Sequence, residues 1–179
     1  MSRAAQFVLL CEDTQHEAFV RRFLAKRGIT GRRLRVLKNP GQGAADAWVR
    51  NRFPTELAAI RKRPVETRLV VVIDGDRFGV SDRRKELDER CRATEVEPVE
   101  ITDPVALIVP TWNIETWLAY LDGEAVDETK SDYPRLKRER ECQQHVDALH
   151  RMCQNRSLRE PPPRSLRSAC DELERLMGS

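Results

Sequence analysis

Two uninterrupted apolar runs, each ending in carboxylates, constrain this chain more than any other feature. The first is Gln6-Phe7-Val8-Leu9-Leu10-Cys11, followed at once by Glu12-Asp13. The second is Arg68-Leu69-Val70-Val71-Val72-Ile73, followed by Asp74-Gly75-Asp76. Short, β-branched runs of this kind belong to strands covered on both faces, as in parallel sheets. Open parallel sheets bind ligands beyond the carboxyl ends of their strands, where the winding reverses. Three or four acids gathered there repel one another unless a cation neutralises them. A divalent-metal site acting on phosphates is therefore expected at that edge.

The remaining pattern supplies the other elements. Thr14 and Glu17 have capping-box spacing, and Ala18, Phe19, Phe23 and Leu24 recur at helical spacing up to Gly28. Residues 33–37 alternate charged and apolar side chains, as an edge strand does. A helix from about Ala44, with a break at Pro54, precedes the strand over 68–74. Residues 81–94 read as an exposed charged helix, and 105–109 as a fourth strand. Asn113 is placed to cap a helix over 114–121. Helices over 135–155 and 164–177 follow a polar loop, divided by Pro161-Pro162-Pro163. The expected class is α/β, a Rossmann-like fold with a mainly parallel four-stranded sheet in the order 2-1-3-4. Residues 1–121 form this body, and 122–179 a helical extension packed on it.

That strand order makes strands one and three neighbours, about 4.8 Å apart, so acids on their tips can share one hard cation. Glu12, Asp74 and Asp76 are the expected ligands of Mg²⁺ or Mn²⁺. Asp13 is better explained as a charge at a helix start. Gly75 is expected to let the backbone turn sharply. Glu115 begins a helix at the same edge. It is either a further catalytic carboxylate or a complement to the helix dipole. His16 is a candidate for proton transfer, although a surface position is expected for it. Arg77 can meet a phosphate or simply face solvent. Gly41-Gln42-Gly43 can present backbone N–H groups to a phosphate, but a plain turn is the simpler reading. Trp117 is expected in the core, and Trp112 is left unassigned. Cys142, His145, His150 and Cys153 have zinc-like spacing. On one helix, however, the outer pair stands about 16 Å apart at ~1.5 Å per residue, too far for one ion.

A glutamate after the first strand (Leu9-Leu10-Cys11-Glu12) and a DxD after a later one (Val72-Ile73-Asp74-Gly75-Asp76) resemble the TOPRIM domain of topoisomerases, primases and OLD-type nucleases. Asn39-Pro40-Gly41-Gln42-Gly43 and Asn113-Ile114-Glu115-Thr116-Trp117-Leu118 look like segments of small bacterial TOPRIM-like proteins. The resemblance covers roughly residues 5–121. It implies Mg²⁺ dependence and phosphodiester cleavage by Glu12, Asp74 and Asp76. It also implies an effector role in an anti-phage defence complex, with nucleic acid as substrate and a partner protein such as an ATPase. Tyr120 and Tyr133 lie in no matching motif, so a complete topoisomerase is not expected. A receiver-like signalling module is the alternative, with Asp74 as phosphoacceptor and Thr111 after strand four, but no lysine follows a fifth strand. A non-catalytic interaction protein is the third reading.

Charge and cysteine content narrow the setting. A net charge of +3 permits nucleic acid without demanding it. There is no long apolar run, so no membrane association is expected, and the first residues read into a strand without a signal peptide. Five scattered cysteines predict a reduced, cytoplasmic protein. The arginines between Arg151 and Arg167 are the candidate nucleic-acid contact. The stripe Leu166, Ala169, Leu173 and Leu176 is the favoured docking face for a partner.

Overall fold

The computed structural model describes residues 4–41 and 43–178. Four strands, β1 (Gln6–Cys11), β2 (Leu34–Lys38), β3 (Thr67–Val72) and β4 (Val105–Ile108), form one sheet in the order β2-β1-β3-β4. All three pairings are parallel. The helices are α1 (Thr14–Lys26), α2 (Ala45–Lys62), α3 (Gly79–Ala93), α4 (Glu115–Leu121), α5 (Gln143–Gln154) and α6 (Arg164–Met177). The α/β class and the strand order are those expected from the pattern.

Alternate residues of each strand enter two separate cores. Phe7, Leu9, Val70, Val72 and Ile108 pack with side chains of α1, α4, α5 and α6. Val8, Leu10, Leu69, Val71 and Leu107 pack with α2 and α3 on the other face. Each buried aliphatic side chain stabilises by about 1.5–3 kcal/mol, which is why these strands are apolar at consecutive positions. β2, with its alternating charges, is half-exposed at one edge of the sheet. At the other edge α6 covers β4, and the Leu107 amide donates to Glu172 at 3.1 Å. That bond satisfies an edge group that another strand would otherwise claim.

Several local expectations are corrected. Asp13, not Thr14, caps α1: its Oδ1 accepts from the His16 amide at 2.8 Å, while Thr14 donates to Glu139. α2 runs unbroken through Pro54, because Val49, Phe53, Leu57 and Ile60 anchor it to the sheet and offset the missing backbone bond. Asn113 makes no capping bond to α4. The region expected as a helix over 135–155 is helical only from the 3₁₀ turn Glu139–Cys142 onward. The stripe Leu166, Ala169, Leu173 and Leu176 is buried in the chain's own core and leaves no apolar face for a partner. The cysteines are not all free, since Cys153 and Cys170 form a disulfide between α5 and α6. Among the described residues, no helix is long and apolar enough to cross a membrane.

Candidate active site at the carboxyl edge of the sheet

Cys11 pairs with Val72 in register, so the segments leaving β1 and β3 start side by side. Glu12 follows immediately and turns inward. Its Oε1 accepts from the Asp74 amide at 2.9 Å, which ties the two strand ends together. Asp74 Oδ1 lies 3.0 Å from His16 Nε2. His16 reaches this point because Asp13 caps α1 and places His16 in its first turn, facing the sheet. Glu115, the first residue of α4, joins from the β4 side, close enough for Asp74 and His16 to act on its ionisation. Three strand ends therefore contribute to one cluster of Glu12, His16, Asp74 and Glu115.

The cluster is largely dry. His16 is 1% exposed, Glu115 6% and Glu12 9%. Burial pushes the Glu12 carboxyl up to about 7; nearby His16 opposes this and Asp74 adds to it. Burial alone would depress His16, but the Asp74 carboxylate outweighs it by charge and hydrogen bond, raising His16 to about 9. Glu115 is also raised, by burial first and by Asp74, against the pull of its backbone bond and of the Arg135 guanidinium 3.2 Å away.

Asp76 behaves differently. Its side chain is 53% exposed and pairs with Arg83 at 2.8 Å. Arg83, 3% exposed, also donates to the Asp74 carbonyl at 2.8 Å and to Glu86 at 2.6 Å. It fixes the Asp-Gly-Asp turn from beneath. The Trp112 amide donates to the Asp76 carbonyl at 2.9 Å, linking two residues that both have positive φ (45° and 60°). Left-handed backbone at a tryptophan is uncommon and strained, and such positions concentrate at functional sites. The sharp turn expected at Gly75 is thus made by Asp76. Gly75 is required for another reason: a Cβ there would lie 3.1 Å from the Pro110 oxygen and from the Gly79 Cα.

The sequence expectations divide accordingly. Glu12, Asp74 and Glu115 come together, Asp13 is a helix cap, and Asp76 sits at the rim on Arg83. Trp117 is in the core, its Nε1 donating to Ser165 at 2.8 Å, and Trp112 lies beside the Asp-Gly-Asp turn. Arg77 is exposed and stacks on Phe78. Gly41 and Gly43 both have positive φ, while Gln42 of that motif lies outside the described residues. The zinc spacing forms no site, because Cys153 is bonded to Cys170. His16 is buried, contrary to the surface position expected for it. Arg83 lies in the segment whose charge pattern predicts an exposed helix, yet it is buried. The signal was there: Arg83, Leu87 and Cys91 recur every four residues and form the buried face of α3.

The donor set suits a hard divalent cation in kind: all are carboxylate oxygens, and Glu12 and Glu115 are buried and hold their protons more tightly than usual. Among the described residues, however, no three His, Cys, Asp or Glu side chains are grouped as metal ligands. Glu12 and Asp74 are adjacent, and Asp76 is held apart by Arg83.

No protein-family model, curated protein or solved structure matches this chain.

Proposed function

We propose that this chain is a divalent-metal-dependent phosphodiester nuclease whose reacting edge comprises Glu12, His16, Asp74 and Glu115. The observation that carries the reading is the convergence of these four groups, from three strand ends, at the reversal point of a parallel sheet. Structural capping accounts for Asp13 but not for Glu12 and Glu115, two buried acids with raised proton affinity, gathered with Asp74 at one edge. Glu12 and Asp74 would hold Mg²⁺ or Mn²⁺, which when bound supplies Lewis-acid stabilisation of charge on a phosphoryl group. The chain's own residues do the rest. His16 orients Asp74 through Nε2. Arg83 fixes the turn that carries Asp74 and Asp76. Glu12, near neutrality in its proton affinity, and Glu115 are placed to accept or return the proton of an attacking water. Nucleic acid as substrate, an anti-phage setting and an ATPase partner follow from the TOPRIM resemblance and belong to this proposal alone.

Cleavage of labelled DNA and RNA with Mg²⁺, Mn²⁺ or EDTA tests it, in wild type, Asp74→Asn and Glu12→Gln. Metal-dependent cleavage lost in both variants is expected. Calorimetric titration of Mn²⁺ should show binding weakened in Asp74→Ala. Cleavage surviving Asp74→Asn would overturn the assignment. Labelling of Asp74 by acetyl phosphate would instead favour a receiver-like module.

A further inference from the structure

The amino edge of the sheet, opposite the carboxylate cluster, carries a groove of about 560 Å³ lined by Arg32, Arg35 and Arg63. Its floor is Phe7, Val8, Pro64 and Val65, and no acid lines it. None of the three arginines has a carboxylate partner among the described residues, whereas Arg83 pairs with Asp76 and Arg135 with Glu115. Glu66, the nearest acid in sequence, is turned onto Arg68 at 2.7 Å. Four other grooves on the molecule each mix arginines with carboxylates, as Arg77 and Arg164 sit with Asp127 and Glu128. The scaffold under the arginines is firm. Arg33 donates to the carbonyls of Ala5 and Gly28 and pins the start of β1 to the turn before β2.

Three unpaired guanidinium groups around one groove hold a positive potential that a polyanion relieves. Their planar forks match phosphate oxygens, and each phosphate neutralised releases counterions. We propose that Arg32, Arg35 and Arg63 anchor the phosphate backbone of a nucleic acid at the amino edge of the sheet. The preference for nucleic acid over an acidic protein rests on the nuclease reading of the opposite edge. β1 has six residues and Arg35 pairs with Val8, so the anchor lies about 13–20 Å from the carboxylates and touches no reacting atom.

The test is fluorescence anisotropy of labelled single-stranded and duplex oligonucleotides across a salt series in EDTA. The proteins are wild type, Asp74→Asn, the triple variant Arg32→Gln/Arg35→Gln/Arg63→Gln, and the same triple change to Lys. The glutamine triple should lose on the order of tenfold or more in affinity at low salt. Its plot of log affinity against log salt should flatten by about 2 for a single strand and about 3 for a duplex. The lysine triple should keep the slope, and Asp74→Asn, which removes a negative charge at the opposite edge, should bind no more weakly than wild type. All three side chains are at least partly exposed, so melting should not change. If the triple melts low, the single variants, each expected to flatten the single-strand slope by about 0.7, replace it. Wild-type affinity and slope in the glutamine variants would overturn the anchor. So would polyglutamate displacing the oligonucleotide as well as unlabelled nucleic acid does. Binding that depends on these arginines, without cleavage by any protein, would leave the anchor standing and sink the nuclease reading.

Discussion

Replacing Glu12 by Gln should stabilise the metal-free protein at pH 8 and leave it unchanged at pH 5. Glu12 is nearly dry, and its proton affinity rises from an ordinary value of 4.5 to about 7. Between those values the unfolded chain has released this proton and the folded chain has kept it. The unfolded state therefore binds fewer protons, and stability falls as pH rises. At ~1.4 kcal/mol per pH decade the accumulated loss above pH 7 is about 3 kcal/mol. Glutamine keeps an Oε1 that can accept from the Asp74 amide, so the tie between strand ends survives. Part of the gain is returned, because Glu12 helps hold the proton on His16. A net gain of about 2 kcal/mol, or roughly 4–8 °C in Tm for a domain of this size, is the expectation at pH 8. The assay is thermal melting in EDTA at half-unit steps from pH 5 to 8.5. Two results would refute the reasoning: Glu12→Gln melting below wild type at pH 8, or a difference between the two that does not change with pH.

Three further outcomes are expected. His16→Ala should lower stability by about 3 kcal/mol below pH 6.5, where the protonated ring is bound to Asp74, with the deficit shrinking as pH rises through about 9; urea melts at pH 6 and pH 9.5 measure it. Leu173→Asp should unfold the protein, not merely detach a partner, because Leu173 is buried in the core beneath the sheet; loss of the folded far-ultraviolet circular dichroism at room temperature is the readout. Cys170→Ser should cost about 3 kcal/mol under oxidising conditions, since the disulfide closes a 17-residue separation, and dithiothreitol should bring the wild type to the same melting temperature.

Much of this arrangement is legible in the sequence, for a physical reason. Strands buried on both faces need apolar side chains at consecutive positions, and 7–11 and 69–73 supply them. Carboxylates placed directly after such strands must lie at the carboxyl edge of the sheet. The placement of Glu12 and Asp74 at that edge is therefore legible from sequence alone, and that of Glu115 nearly so. What the sequence leaves undecided is set by contacts between residues far apart in the chain. His16 reads as a surface histidine until Asp13 turns the helix and Asp74, 58 residues on, arrives beside it. Asp74 and Asp76 read as equivalent until Arg83 takes one of them. The leucine stripe of α6 is amphipathic whether it faces a partner or the chain's own sheet, and only its packing against β4 and the core selects between them. Cys153 and Cys170 are two scattered thiols in sequence and a crosslink once α5 and α6 lie together. Periodicity fixes which face of each element is apolar; which charged groups meet across the edge of the sheet is decided by packing.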